Sequence, residues 1–184
     1  DCIHSTASSH GRVFIVEVMG HKVGWLTLYA GISGGADVIL IPEIPYDVDK
    51  VCDVLKARKK NGKPFSILAV AEGALSKEEA KLSKKEFKAA RASMKEPSIS
   101  YRLANEIAER TGQEIRVTLP GHFQRGGSPC AYDRMLTTRF GTAAADLIAN
   151  KQFGYMVALR DNKVVPVPLS EVAGKFKTVS PDCE

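Results

Sequence analysis

The sequence predicts an α/β protein, a mostly parallel sheet with helices on both faces in three layers. Two observations carry this. Runs of branched and apolar residues of strand length recur at 13–18, 37–41, 65–71 and 114–119, and stretches of helical periodicity lie between them. The runs are near-continuously apolar, as in strands covered from both sides. In such sheets ligands bind at the carboxyl ends of the strands.

The elements follow in order. The chain opens within a stretch that reads as a helix leading to Arg12. Residues 13–18 form a strand that delivers Met19-Gly20-His21, and 22–32 read as a helix. Residues 37–41 form a strand ended by Pro42 and Pro45. Val48, Val51, Cys52 and Leu55 recur at helical spacing, so 48–59 is an amphipathic helix that Asn61-Gly62 ends. Residues 65–71 are the next buried strand. Ser76 and Glu79 have capping-box spacing, opening a helix in a charged insertion near 76–97 that reads as a solvated surface segment. Glu17, inside an apolar strand, reads as the partner of a basic group. Residues 101–110 are helical and stop at Gly112, and 114–119 form a strand. Leu136, Phe140, Ala143, Ala144 and Leu147 mark one face of a helix over 132–150. Residues 155–159 and 164–167 close the pattern as a hairpin around Asp161-Asn162.

Composition bounds the function. A chain of 184 residues can bury a sizeable core as one compact unit, and 44% hydrophobic with 26% charged residues is ordinary for a globular protein. No apolar run approaches the roughly 18 residues of a membrane span. The four cysteines are scattered, without a C-x-x-C pair, which suits a reducing cytoplasm better than a disulfide or zinc framework. The net charge of +5 admits nucleic acid as a partner. Yet the basic residues form no aromatic-interleaved stripe, and residues 77–96 alone hold seven basic against four acidic side chains. Steering of anionic substrates accounts for the balance as well, and nucleic acid is not expected as a partner.

The strongest local signal is Pro120-Gly121-His122-Phe123-Gln124-Arg125-Gly126-Gly127-Ser128-Pro129. Glycines that permit close backbone approach, with an imidazole, an amide and a guanidinium among them, suit an anion and above all a phosphate. The strand–glycine–helix junction at Met19-Gly20 offers backbone N–H groups of the same use. By residue type alone, Glu72 reads equally as a loop cap, His122 as a structural histidine, and Arg12 and Arg116 as surface arginines.

Taken in order, Ser8-Ser9-His10-Gly11-Arg12, Met19-Gly20-His21, Gly34-Gly35-Ala36-Asp37, Ile41-Pro42-Glu43, Ala71-Glu72-Gly73, the glycine-rich loop and Tyr132-Asp133-Arg134 resemble the phosphofructokinases over nearly the whole chain. The resemblance implies a 6-phosphofructokinase, moving a phosphoryl group from ATP or pyrophosphate to the 1-hydroxyl of fructose 6-phosphate in glycolysis. By that match Met19 and Gly20 hold the sugar phosphate, Glu72 a sugar hydroxyl, and His122 and Arg125 the 6-phosphate. Arg12 and Arg116 match arginines that reach a neighbouring subunit's site, which implies a homodimer or homotetramer. Where the family usually has Met-Gly-Arg this chain has His21, so Lys22 is the alternative source of positive charge near the donor. The Gly-Gly-Asp donor loop and the Thr-Ile-Asp-Asn-Asp motif of the family do not occur in these residues. The donor site, the magnesium ligands and the general base are therefore expected upstream of Asp1. No catalytic residue and no metal ligand is expected here, and the 184 residues alone are expected to be inactive. Within the family the 76–97 insertion is either a plain surface helix or a lid over the sugar site. A non-catalytic sugar-phosphate-binding regulatory subunit is the alternative function.

Overall fold

The computed structural model describes residues 2–182, which group into two compact units, residues 2–124 with 178–182 and residues 125–177. In the first unit, helix α1 (Cys2–His10) leads into β1 (Val13–Val18), α2 (Trp25–Ser33), β2 (Val38–Leu40), α3 (Val48–Lys60) and β3 (Ser66–Ala71). Then come α4 (Lys84–Ala92), α5 (Ile99–Thr111) and β4 (Ile115–Thr118). The four strands form one sheet in the order β2-β3-β1-β4, and every pairing is parallel.

The alternation of each strand sorts its side chains between two helical layers. Val13, Ile15, Leu68 and Val70 face a core shared with Val51 and Leu55 of α3 and Leu103 and Ile107 of α5. Phe14, Val16 and Ile67 face the opposite side, where Ala7 and Ile3 of α1 cover them. Helix α2 lies on that second side, and the absent side chain of Gly31 leaves room for Ile39 and Ala69. The three-layer arrangement is the one the apolar strands predict, because the central strands β1 and β3 are covered from both sides.

Several elements differ from the sequence expectations. Helix α2 begins at Trp25 and not at Lys22, because Gly20 and His21 take positive φ values of 152° and 54° and turn the chain first. The N–H of its N-cap residue is met from outside: Gly24 donates to both carboxylate oxygens of Glu43, at 3.0 and 3.1 Å. The Ser76–Glu79 capping box is made, with reciprocal bonds of 3.1 and 3.2 Å, but it opens only a 3-10 turn over Glu79–Lys81. A second box, Ser83 with Glu86, opens α4. The segment is also less solvated than its composition suggests. Glu79 is 8% exposed and lies between Arg91 Nη2 at 3.1 Å and Arg102 Nη1 at 2.9 Å. The partner that the described residues show for Glu17 is a backbone N–H and not a basic group. Glu17 Oε2 accepts the Ser100 N–H at 3.2 Å, in the first turn of α5, where an orphan helix donor favours a carboxylate.

The second unit consists of α6 (Ala131–Ala149), the antiparallel hairpin β5 (Tyr155–Arg160) with β6 (Lys163–Pro168), and the short α7 (Leu169–Val172). The half-buried positions of α6 include Leu136, Phe140, Ala143, Ala144 and Leu147, the face read from its periodicity. Asp161 and Asn162 turn the hairpin at φ 49° and 60°, which their short polar side chains tolerate. Among the described residues no helix is long and apolar enough to cross a membrane.

Candidate functional site

The carboxyl ends of β1 and β3 are adjacent, with Val18 paired to Ala71. The residues that follow each strand therefore meet. The Glu72 N–H continues the ladder to the Val18 carbonyl at 2.9 Å. The Glu72 side chain then turns across to β1: Oε1 accepts the Gly20 N–H at 3.1 Å and the His21 N–H at 2.6 Å. One carboxylate oxygen thus closes the turn after β1, and Oε2 keeps its acceptor capacity for a ligand hydroxyl.

This closure needs a very near approach of two backbones. A Cβ placed on Gly73 would stand 2.0 Å from the His21 carbonyl oxygen, well inside contact distance. Gly73→Ala is expected to force the turn open and to cost at least about 1–3 kcal/mol, as overpacking does. Thermal unfolding checks this. An alanine variant that melts like the parent would contradict the geometry.

From β4 the chain runs through Leu119 and Pro120 into a 3-10 turn at Gly121–Arg125. Gln124 points back to β1, where its Oε1 accepts the Met19 N–H at 3.1 Å. Glu17, Met19, Glu72, His122 and Gln124 line one cavity of about 210 Å³ at the strand ends. His122 is exposed at its mouth. Gln124, which sequence reading left as one anion donor among three, is the residue that ties the glycine-rich loop to the Met19 turn.

The structure thus brings Met19, Glu72 and His122 together, with Gly20 and His21 bonded to Glu72 beside them. It also shows that the Met19 and Gly20 amides already have partners within the chain. A phosphate seated on this turn has to take the place of the Gln124 amide oxygen. Arg125 is the first residue of the second unit and is exposed.

Arg12 and Arg116 lie elsewhere. Arg12 precedes β1, and Arg116 pairs with Phe14 near the start of that strand. Seven residues of extended chain separate Arg12 from Met19, about 20 Å at strand rise. Glu114 gathers the two arginines: its Oε2 accepts from Arg12 Nε at 2.6 Å, and its Oε1 accepts from Arg116 Nη2. Neither guanidinium reaches the cavity of its own chain.

Among the described residues no three His, Cys, Asp or Glu side chains converge as metal ligands.

Comparison with known proteins decides the family. The phosphofructokinase family model matches residues 1–148. The chain belongs to the phosphofructokinase family. It is 58% identical over 182 residues to the ATP-dependent 6-phosphofructokinase of Spirochaeta thermophila, a match covering 99% of this chain and 50% of that one. It is 46% identical over 183 residues to the pyrophosphate–fructose 6-phosphate 1-phosphotransferase of Amycolatopsis methanolica, covering 99% and 53%. Among solved structures, Saccharomyces cerevisiae phosphofructokinase superposes with a TM-score of 0.77 at 37% identity, over 93% of this chain and 21% of that chain. The chain spans about half the length of the curated relatives it matches. ATP-dependent relatives range from 44% to 58% identity, and two pyrophosphate-dependent ones stand at 44% and 46%.

Proposed function

We propose that this phosphofructokinase chain forms the sugar-phosphate half of a 6-phosphofructokinase site, in a protein that phosphorylates the 1-hydroxyl of fructose 6-phosphate. The observation that carries the reading is the cavity in which the Met19 turn, Glu72 and His122 meet at the carboxyl ends of parallel strands. In the proposed reaction the hydroxyl oxygen forms a bond to the donor's terminal phosphorus, the donor anhydride P–O bond breaks, and the hydroxyl proton leaves to a base. The donor is ATP or pyrophosphate, and a magnesium ion accompanies it, as the family implies. The residues around this cavity do one part of that work, which is to hold the acceptor.

Positioning is the larger share of phosphoryl transfer, so a binding role is a catalytic contribution. His122 supplies an imidazole at the mouth of the cavity for the 6-phosphate, with Arg125 as its second ligand. Glu72 Oε2 accepts a sugar hydroxyl and so fixes the ring against the turn. Arg12 and Arg116, too far from their own cavity, serve the 6-phosphate in a second copy of the chain. A homodimer or homotetramer with shared sites follows, in the cytoplasm where sugar phosphates are consumed.

The test is a phosphorylation assay of the intact protein on fructose 6-phosphate with each donor. Product with either donor is expected. Absence of product with both, in a folded protein, overturns the reading. Subunit sharing has its own test. Arg116→Ala and Glu72→Ala proteins, each nearly inactive, are expected to regain activity when their subunits are exchanged, because some mixed sites then hold no substituted residue. No recovery after verified exchange would place both residues in one chain's site.

A further inference from the structure

The described residues line a second, open cavity of about 540 Å³ beside the one assigned to the sugar. That volume lies in the range that small-molecule ligands occupy. His21 and Lys22 reach it from the end of β1, Glu72 and Gly73 from the end of β3, and Phe87 and Arg91 from α4. Glu72 lines both cavities, so the two adjoin at a single carboxylate. Helix α4 is the core of the charged 76–97 segment, which is anchored to the fold through Glu79 and Arg91 and has no part in the proposed sugar site.

The charge around this cavity favours an anion. Glu72 is the single acid among the six residues just named, and its Oε1 is already bound by two backbone N–H groups. Opposite it stand Lys22, His21 and Arg91. Arg91 is not a loose surface cation. Its Nη2 donates to the Ala74 carbonyl at 2.6 Å and to Glu79 Oε2 at 3.1 Å, and its guanidinium lies 5.1 Å from the centre of the Phe87 ring. Glu79 also binds Arg102, which has a second acid of its own in Glu106 at 3.7 Å, so the Glu79 carboxylate is shared and does not belong to Arg91 alone. A guanidinium fixed on a helix and stacked on an aromatic ring is pre-organised for phosphate oxygens. Phe87 and Leu75 add an apolar floor.

We propose that α4 is a wall of the phosphoryl-donor side of the site, with Arg91 contacting the donor's pyrophosphate group and Phe87 packing beneath it. The proposal rests on reading the smaller cavity as the acceptor's. Transfer in line requires donor and acceptor to approach across a common boundary, and the Glu72 turn is the boundary the two cavities share. The ligand chemistry is a pyrophosphate group, free or as the end of a nucleoside triphosphate.

Two measurements on the intact protein test this. In steady-state kinetics, Arg91→Ala and Phe87→Ala are each expected to raise the KM for the donor about tenfold while the KM for fructose 6-phosphate stays within about twofold. Arg91→Lys is expected to fall between, since it restores charge without the fork. In hydrogen exchange of the unsubstituted protein, residues 84–92 are expected to slow on addition of pyrophosphate or ATP and not of fructose 6-phosphate alone. Protection by only one donor supports the wall and identifies which donor the protein takes. Equal protection by sulfate at matched ionic strength, or a rise confined to the sugar KM, overturns it, as does an unchanged donor KM without protection. If the protein phosphorylates no fructose 6-phosphate yet pyrophosphate still protects α4, the sugar reading fails and the anion site stands.

Discussion

Glu72→Ala is expected to lower fructose 6-phosphate affinity of the intact protein about a hundredfold. Two losses combine. The charged acceptor for a sugar hydroxyl disappears, worth about 1.5–3 kcal/mol for a hydrogen bond to an ionised group. The Gly20 and His21 N–H groups, bonded to Oε1 at 3.1 and 2.6 Å, lose their partner, and with it the constraint that holds His21 at a φ of 54°. Left-handed backbone at a residue other than glycine persists only where its surroundings impose it. Glu72→Gln separates the two effects. Its amide oxygen can still accept from the turn, so thermal stability should stay near that of the parent while affinity falls about tenfold. Calorimetric titration beside thermal unfolding distinguishes the variants. Equal affinity in all three proteins would remove Glu72 from the sugar site.

The largest stability effect is expected at Glu79. Its carboxylate is buried between Arg91 and Arg102, and it also accepts the Ser76 N–H. Removing one member of a buried ionic cluster leaves the others uncompensated, and Glu79→Ala is expected to cost about 3–5 kcal/mol. Burial by itself pushes the Glu79 carboxyl up. The Arg102 hydrogen bond, the Ser76 N–H and the charges of Arg91 and Arg102 outweigh it and hold the group below the ordinary glutamate range. A carboxyl lowered on folding stabilises the native state above its unfolded pKa, about 4.3, and that contribution is lost as the pH falls through the lower folded value. The gap between parent and Glu79→Gln in urea unfolding should therefore be wide at pH 7 and shrink as the pH falls below about 4.3. A gap of constant width on acidification would show that the ionisation of Glu79 does not contribute to folding.

What the sequence could reveal follows from the range of each interaction. Periodicity is local, so strands such as Val13–Val18 and the buried face of α3 were legible from their own residues. Short-range capping was legible in kind, yet Ser76 and Glu79 show its limit. Their reciprocal bonds form, but the chain that follows, Lys81-Leu82-Ser83, does not continue as helix, and the better-placed Ser83–Glu86 pair starts α4. Contacts between distant residues left no signal of their own. Nothing near Glu43 marks it as the cap of α2 and the acceptor of the Val179 N–H at 3.0 Å, and nothing near Glu79 announces Arg102. For the candidate site, the glycine-rich loop advertised an anion pocket through composition. Gln124's bond to Met19 needed the fold, because it joins residues 105 positions apart. Likewise the placement of Arg12 and Arg116 at the amino ends of β1 and β4 is a consequence of parallel pairing, which no single segment encodes.

We propose that one phosphorylated hexose sits where the Met19 turn, Glu72 and His122 converge. A crystal structure of the intact protein with fructose 6-phosphate checks this. A sugar hydroxyl is expected within hydrogen-bond distance of Glu72 and the 6-phosphate within hydrogen-bond distance of His122, with the Met19 N–H released from Gln124. A hexose bound with its phosphate away from His122 and no contact to Glu72 would contradict it.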